Sequence, residues 1–261
     1  MNLIQLFLAL YLFNILFLFI LVYTTSELRN LKIIFIGMPF LISLTAWLGM
    51  FLQSTFNIDD ISSRQILANI LLTLWAFKFS AYNKNFKLLI LRYFLNKEFQ
   101  LKGLNLYKKT KNVFFFVNCL MVSLMPVISL NFLSGNLSLG FLDISAVLIF
   151  LLGFGYEVKA LTELKKSSSK QDNKVHREGL WLFSRHPDLF GQLVAWWGLY
   201  LLAIGAVGGE WSIFGPMLVT FLYLKFLVNN IEEKLSKKYN DYEEYKVSTP
   251  SIFPKITSFK S

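Results

Sequence analysis

The chain's densest group of chemically capable side chains is Arg185-His186-Pro187-Asp188, within Glu178-Gly-Leu-Trp-Leu-Phe-Ser-Arg-His-Pro-Asp-Leu-Phe-Gly-Gln192 and directly ahead of an apolar run. Proline suits a first helical position, where its missing N–H would be unpaired anyway, and Asp188 can offer its carboxylate to the free amides of the first turn. A helix N-terminus flanked by a guanidinium and an imidazole is an anion site suited to phosphate or pyrophosphate. The same residues fit a second reading, in which Arg185 and His186 reach to a lipid interface while Asp188 caps. Glu157 with Lys159 is the other candidate pair, because ionisable groups inside apolar spans are functional by default; they equally suit a helix end. Trp196-Trp197 lie deeper in the apolar run, where one ring is placed to face a cavity. The single cysteine, Cys119, excludes an intramolecular disulfide framework and any cysteine-based zinc or iron–sulfur centre. No metal site is expected, and no GxGxxG or Walker loop is present to hold a nucleotide in those ways.

The elements that must position these residues are membrane spans. Hydrophobic residues make up 55% of the 261, 27 of them phenylalanine, and the mean hydropathy is +0.51; soluble chains run nearer 45–50% apolar. A span takes about 20 apolar residues, and seven segments qualify: 3–23, 33–53, 65–82, 113–133, 142–162, 189–207 and 212–230. The first reads as a span rather than a cleavable signal, since its apolar run is too long and no cation precedes it. Charge placement supports the count: 22 of the 26 Lys and Arg residues fall on one side, and only Arg64, beside Asp59 and Asp60, falls on the other. The positive-inside rule makes the basic side cytoplasmic, so the expected fold is an all-α, polytopic bundle with its N-terminus outside and C-terminus inside. One integral domain is expected over 1–261. The net charge of +10 is distributed among loops between spans, which argues against nucleic acid as a partner. Lys84–Leu95 reads as an interfacial or linker helix.

Gly179-Leu-Trp-Leu-Phe-Ser-Arg-His-Pro-Asp-Leu-Phe-Gly-Gln-Leu-Val-Ala-Trp-Trp-Gly198 resembles the signature of the steroid 5α-reductase-like family, in its bacterial-type branch, the DUF1295 membrane proteins. Ile231-Glu-Glu-Lys through Tyr239, Tyr242, Tyr245 and Thr249-Pro-Ser-Ile-Phe-Pro254 is similar to that family's closing motif. Trp75-Ala-Phe-Lys78 and Ser123-Leu-Met-Pro126 are fainter echoes. The resemblance covers about 75–254 and is strongest over 179–200. It implies a seven-helix bundle, with a cofactor-binding half at about 142–261, that holds NADPH on the cytoplasmic side. The reaction implied is reduction of a C=C bond conjugated to a carbonyl in a steroid, polyprenoid or other lipid. On this basis Arg185, His186, Asp188, Gly191 and Tyr242 are expected at the cofactor, with Gly191 allowing close backbone approach. Trp196 is expected to line the lipid cavity, and Tyr82 and Glu157 are the candidates for polarising the carbonyl oxygen. The chain departs from the family pattern at Leu161, Leu189, Gln192 and Lys78; each lost buried hydrogen bond to a cofactor costs about 1–3 kcal/mol.

Two other functions compete. Membrane methyltransferases of the isoprenylcysteine or phospholipid type also carry an Arg-His-Pro motif and a C-terminal Glu-Glu, and use S-adenosylmethionine. The third possibility is a non-catalytic remnant of the fold. The expected location is a bacterial inner membrane or the endoplasmic reticulum, with the bilayer and a lipid-like small molecule as partners and no obligate protein partner.

Overall fold

The computed structural model describes residues 39–52, 61–82, 139–167, 174–206 and 208–255, together with Leu12, Phe13, Leu16 and Val127. The expected first and fourth spans and the 84–95 segment lie outside these residues, apart from those four. Among the described residues all regular structure is helical. α1 covers Pro39–Leu52 and α2 covers Ser63–Tyr82. α3 covers Phe141–Ser167 and α4 covers Pro187–Ile204. α5 is the long run Gly209–Lys238, and α6 is Tyr242–Ser248. The expected spans at 65–82, 142–162, 189–207 and 212–230 therefore each coincide with a helix, and α3 and α5 run further than their apolar stretches.

Local chemistry explains where the helices begin. Ser62 and Gln65 form a capping box at the start of α2: the Ser62 amide donates to Gln65 Oε1 at 2.7 Å and the Gln65 amide to Ser62 Oγ at 3.3 Å. Ahead of α3, the Gly140 amide donates to Asp143 Oδ2 at 2.8 Å. α4 opens on Pro187, and the His186 carbonyl accepts from the Phe190 amide at 3.1 Å, so the expected proline start holds. Between α4 and α5 the chain turns at Gly208, whose φ of 77° favours glycine. Gly209 comes next because a side chain there would collide with the Ala203 carbonyl.

α3, α4 and α5 are long and apolar enough to cross a membrane. α3 exposes Leu148, Leu151 and Leu152, and α5 exposes Phe214, Met217, Phe221 and Leu224. Exposed apolar side chains along helices of this length suit hydrocarbon.

The chain divides into two compact units, one of residues up to 146 with 199–218, the other of 147–198 with 219–261. In the first, α1 and α2 are joined by a polar seam. Ser43 Oγ and Thr73 Oγ1 lie 2.7 Å apart, Trp47 Nε1 donates to Thr73 Oγ1 at 3.0 Å, and Thr73 donates back to the Asn69 carbonyl. Such bonds substitute in lipid for the hydrophobic drive that holds helices together in water. The same unit contains a buried ion pair. Arg64 Nε donates to Asp143 Oδ1 at 2.6 Å and Nη2 to Oδ2 at 2.8 Å, while Nη1 donates to the Gly205 carbonyl at 2.7 Å. The side chains of Arg64 and Asp143 are only 4% and 3% exposed. Asp59 and Asp60, beside Arg64 in the sequence, lie outside the described residues; Asp143 is its partner across the unit.

In the second unit, α3 and α4 cross at glycines. A Cβ on Gly153 would sit 2.5 Å from the Ala195 nitrogen, and one on Gly191 would sit 2.6 Å from the Glu157 nitrogen. Small residues at such a crossing let two backbones meet.

Candidate functional site

The site in the second unit is built around the start of α4. Ahead of it, the 3₁₀ turn Gly179–Leu182 is fixed by Glu163 of α3, whose carboxylate accepts the Leu180 amide at 2.9 Å. Gly179 has φ 62°, and a side chain there would overlap that carboxylate. Trp181 is buried, and its Nε1 donates to the Ala160 carbonyl at 3.2 Å.

From residue 183 to 186 the chain pairs with the C-terminal strap 250–255. The Arg185 and His186 amides donate to the Pro250 and Ser251 carbonyls at 2.9 Å each, and the Lys255 amide donates to the Phe183 carbonyl at 3.0 Å. Ser184 Oγ donates to the Ser251 and Ile252 carbonyls at 3.0 and 2.8 Å. Tyr245, on α6, is buried and donates to the Trp181 carbonyl. The two segments that resemble the family signature thus lie against each other.

This framework brings Arg185 and His186 onto one carboxylate. Arg185 Nη2 lies 2.9 Å and His186 Nε2 3.2 Å from Glu232 Oε1. Arg185 Nη1 donates to the Lys246 carbonyl at 3.0 Å, and Ser251 Oγ is 3.3 Å from the same Glu232 oxygen. Glu232 lies beyond the apolar 212–230 stretch. Burial raises its carboxyl, but the hydrogen bond with His186 and the nearby charges outweigh burial and hold it below the ordinary carboxylate range. Tyr242 is fully buried beside this cluster, and burial first, then Glu232, pushes its phenol up.

Two donors here have no hydrogen-bond partner: Arg185 Nε and the Tyr242 hydroxyl, both buried. An unpaired buried donor costs about 1–3 kcal/mol, which an acceptor from a water molecule or a ligand would offset. The charge of Arg185 is answered by Glu232, so the cluster fits an acceptor-rich group better than a highly charged one.

Gly191 approaches the backbone of α3, and the close contact it permits is a helix crossing. Trp196 is buried in α4. Glu157 is buried, whereas Lys159 is exposed, so these two do not form a pair. Tyr82 is the last residue of α2, and its side chain lies outside the described residues. Asp188 lies at the start of α4, half-buried, within electrostatic reach of Tyr223. Among the described residues no group of His, Cys, Asp and Glu is arranged to hold a metal ion. Sequence reasoning missed Glu232 as the shared partner of Arg185 and His186, although the Glu232-Glu233 step in an otherwise apolar-to-basic transition was its signal.

Lipid-facing helices, glycine-mediated crossings and a polar cluster at a helix mouth define a helical membrane protein. More narrowly, the chain belongs to the DUF1295 family, whose description is "Protein of unknown function (DUF1295)" and whose profile matches residues 22–249. No curated protein and no solved structure matches the chain.

Proposed function

We propose that the protein is a multi-pass, membrane-embedded reductase that uses NADPH to reduce a C=C bond conjugated to a carbonyl in a steroid, polyprenoid or other lipid. In this reading seven helices span the membrane, with the N-terminus outside and the C-terminal strap cytoplasmic. The single observation carrying it is the cluster at the start of α4, where Arg185 Nε and the Tyr242 hydroxyl are buried without partners. Its chemistry is that of a site for an acceptor-rich ligand, and its sequence is the part that resembles the reductase signature.

Arg185 and Tyr242 would hold acceptor oxygens of the cofactor. Glu232 and His186 would fix the guanidinium, and the strap would exclude water from it. When bound, NADPH supplies the hydride that adds to the β-carbon. The apolar surroundings raise the worth of each hydrogen bond made there.

The test is ligand-induced thermal stabilisation of the detergent-purified protein. At 100 times its dissociation constant a ligand adds about 2.7 kcal/mol to stability. Stabilisation by NADPH supports the reductase. Stabilisation by S-adenosylmethionine instead supports the methyltransferase, and no response to either supports a non-catalytic member.

A further inference from the structure

We propose that Tyr223, held by Gln192 and backed by Glu157, is the recognition point for the single polar group of an otherwise apolar substrate, a carbonyl or a hydroxyl. The proposal rests on the function proposed above only in taking the substrate to be a lipid-phase small molecule.

Three helices bring these residues together inside the second unit. Glu157 is on α3, Gln192 on α4 and Tyr223 on α5. The Tyr223 hydroxyl donates to Gln192 Oε1 at 2.7 Å. Glu157 and Asp188 lie within electrostatic reach of the phenol. Glu157 and Gln192 are only 2% and 3% exposed. One turn before Tyr223, Thr220 accepts a hydrogen bond from Trp197 Nε1 at 3.3 Å, which ties α5 to α4 at the same level.

The backbone is irregular at this point. Tyr223–Leu227 forms a π-helical turn between the α-helical stretches Phe214–Leu222 and Val228–Lys238. A π turn widens the helix, shifts the register of the residues downstream, and occurs often at functional sites. Ionisable groups within apolar spans are costly and are functional candidates by default, and the buried Glu157 is one. The hydroxyl, amide and carboxyl offer both donors and acceptors, which suits one oxygen of a neutral molecule. They do not suit a phosphate headgroup, which the carboxyl side chains of Glu157 and Asp188 would repel.

The experiment uses the full chain in detergent and three probes: androst-4-en-3-one, whose one oxygen is a conjugated carbonyl, the oxygen-free hydrocarbon 5α-androstane, and NADPH. Tryptophan fluorescence reads the first two, and thermal unfolding reads the third. The unaltered chain is expected to bind the ketone at least about tenfold more tightly than androstane, the worth of one good hydrogen bond. Tyr223→Phe and Gln192→Leu should reduce the ketone to the androstane level, Gln192→Glu should keep the preference, and the NADPH response should be unchanged in Tyr223→Phe. Equal binding of the two steroids by the unaltered chain overturns the proposal, as does a Tyr223→Phe chain that keeps the full preference. A Tyr223→Phe chain that loses androstane binding as well also overturns it, since the residue would then serve only to join helices. An absent NADPH response with an intact preference for the ketone overturns the cofactor reading and supports this one.

Discussion

Two buried arginine–carboxylate groups in this protein look alike and are built for different ends. Just beyond the end of α4, Arg64 spends its guanidinium on both oxygens of Asp143 and on the Gly205 carbonyl, while Asp143 also accepts the Gly140 amide. At the start of α4, Arg185 shares the single Glu232 with His186, and Arg185 Nε and the Tyr242 hydroxyl are left without partners. The first arrangement pairs every guanidinium nitrogen and ties helix ends together. The second has unused donor capacity, the feature on which the proposed cofactor site rests. Burial and charge alone do not distinguish the two; the count of satisfied hydrogen bonds does.

The largest effect expected from breaking this contrast is at Arg64. Arg64→Ala leaves Asp143 as an uncompensated buried charge and should cost about 3–5 kcal/mol, seen as a large fall in melting temperature in detergent. The double change Arg64→Met with Asp143→Leu should restore most of that loss, because apolar replacement of a whole buried pair is often neutral. Arg185→Ala should produce a smaller stability loss but eliminate the NADPH-linked stabilisation of about 2.7 kcal/mol at 100 times the dissociation constant. An unchanged NADPH response would remove Arg185 from the site and erase the distinction between the two groups.

Tyr242→Phe sharpens the comparison from the opposite direction. Its hydroxyl has no partner, so removing it should leave the ligand-free melting temperature unchanged or raise it by the equivalent of up to about 1 kcal/mol, while weakening NADPH. The smallest effect concerns acidity. The Glu232 carboxyl is held below its ordinary range, so its contribution to stability is present above the ordinary carboxylate pKa and disappears as pH falls through the depressed value. A melting-temperature profile of Glu232→Gln should lack that acidic limb.

How much of the fold and site was legible in the sequence depended on the range of each interaction. The start of α4 could be read from Pro187 alone, since the proline rule is local. The capping box at Ser62 and Gln65 is equally local, but apolar length, which set the expected start at 65, does not register it. Partners across helices could not be read. Asp143 lies 79 residues from Arg64, and its signal, an acid at the head of an apolar run, matched any helix cap. The family resemblance places Gly191 at the cofactor; the helix crossing it also serves is visible only from the facing Gly153 and the Glu157 backbone. Tyr223 gave little signal, since a tyrosine in an apolar span reads as an interface aromatic. The π turn that accompanies it leaves no mark in hydropathy.

The pairing of 183–186 with 250–255 imposes an order on biosynthesis. The carbonyls of Pro250 and Ser251 that receive the Arg185 and His186 amides are synthesised after every described helix. Closure of the mouth of α4 therefore waits until the strap has been synthesised and has left the ribosome. A chain cut before residue 250 would keep the sequence of every described helix and lack the carbonyls that receive these two amides.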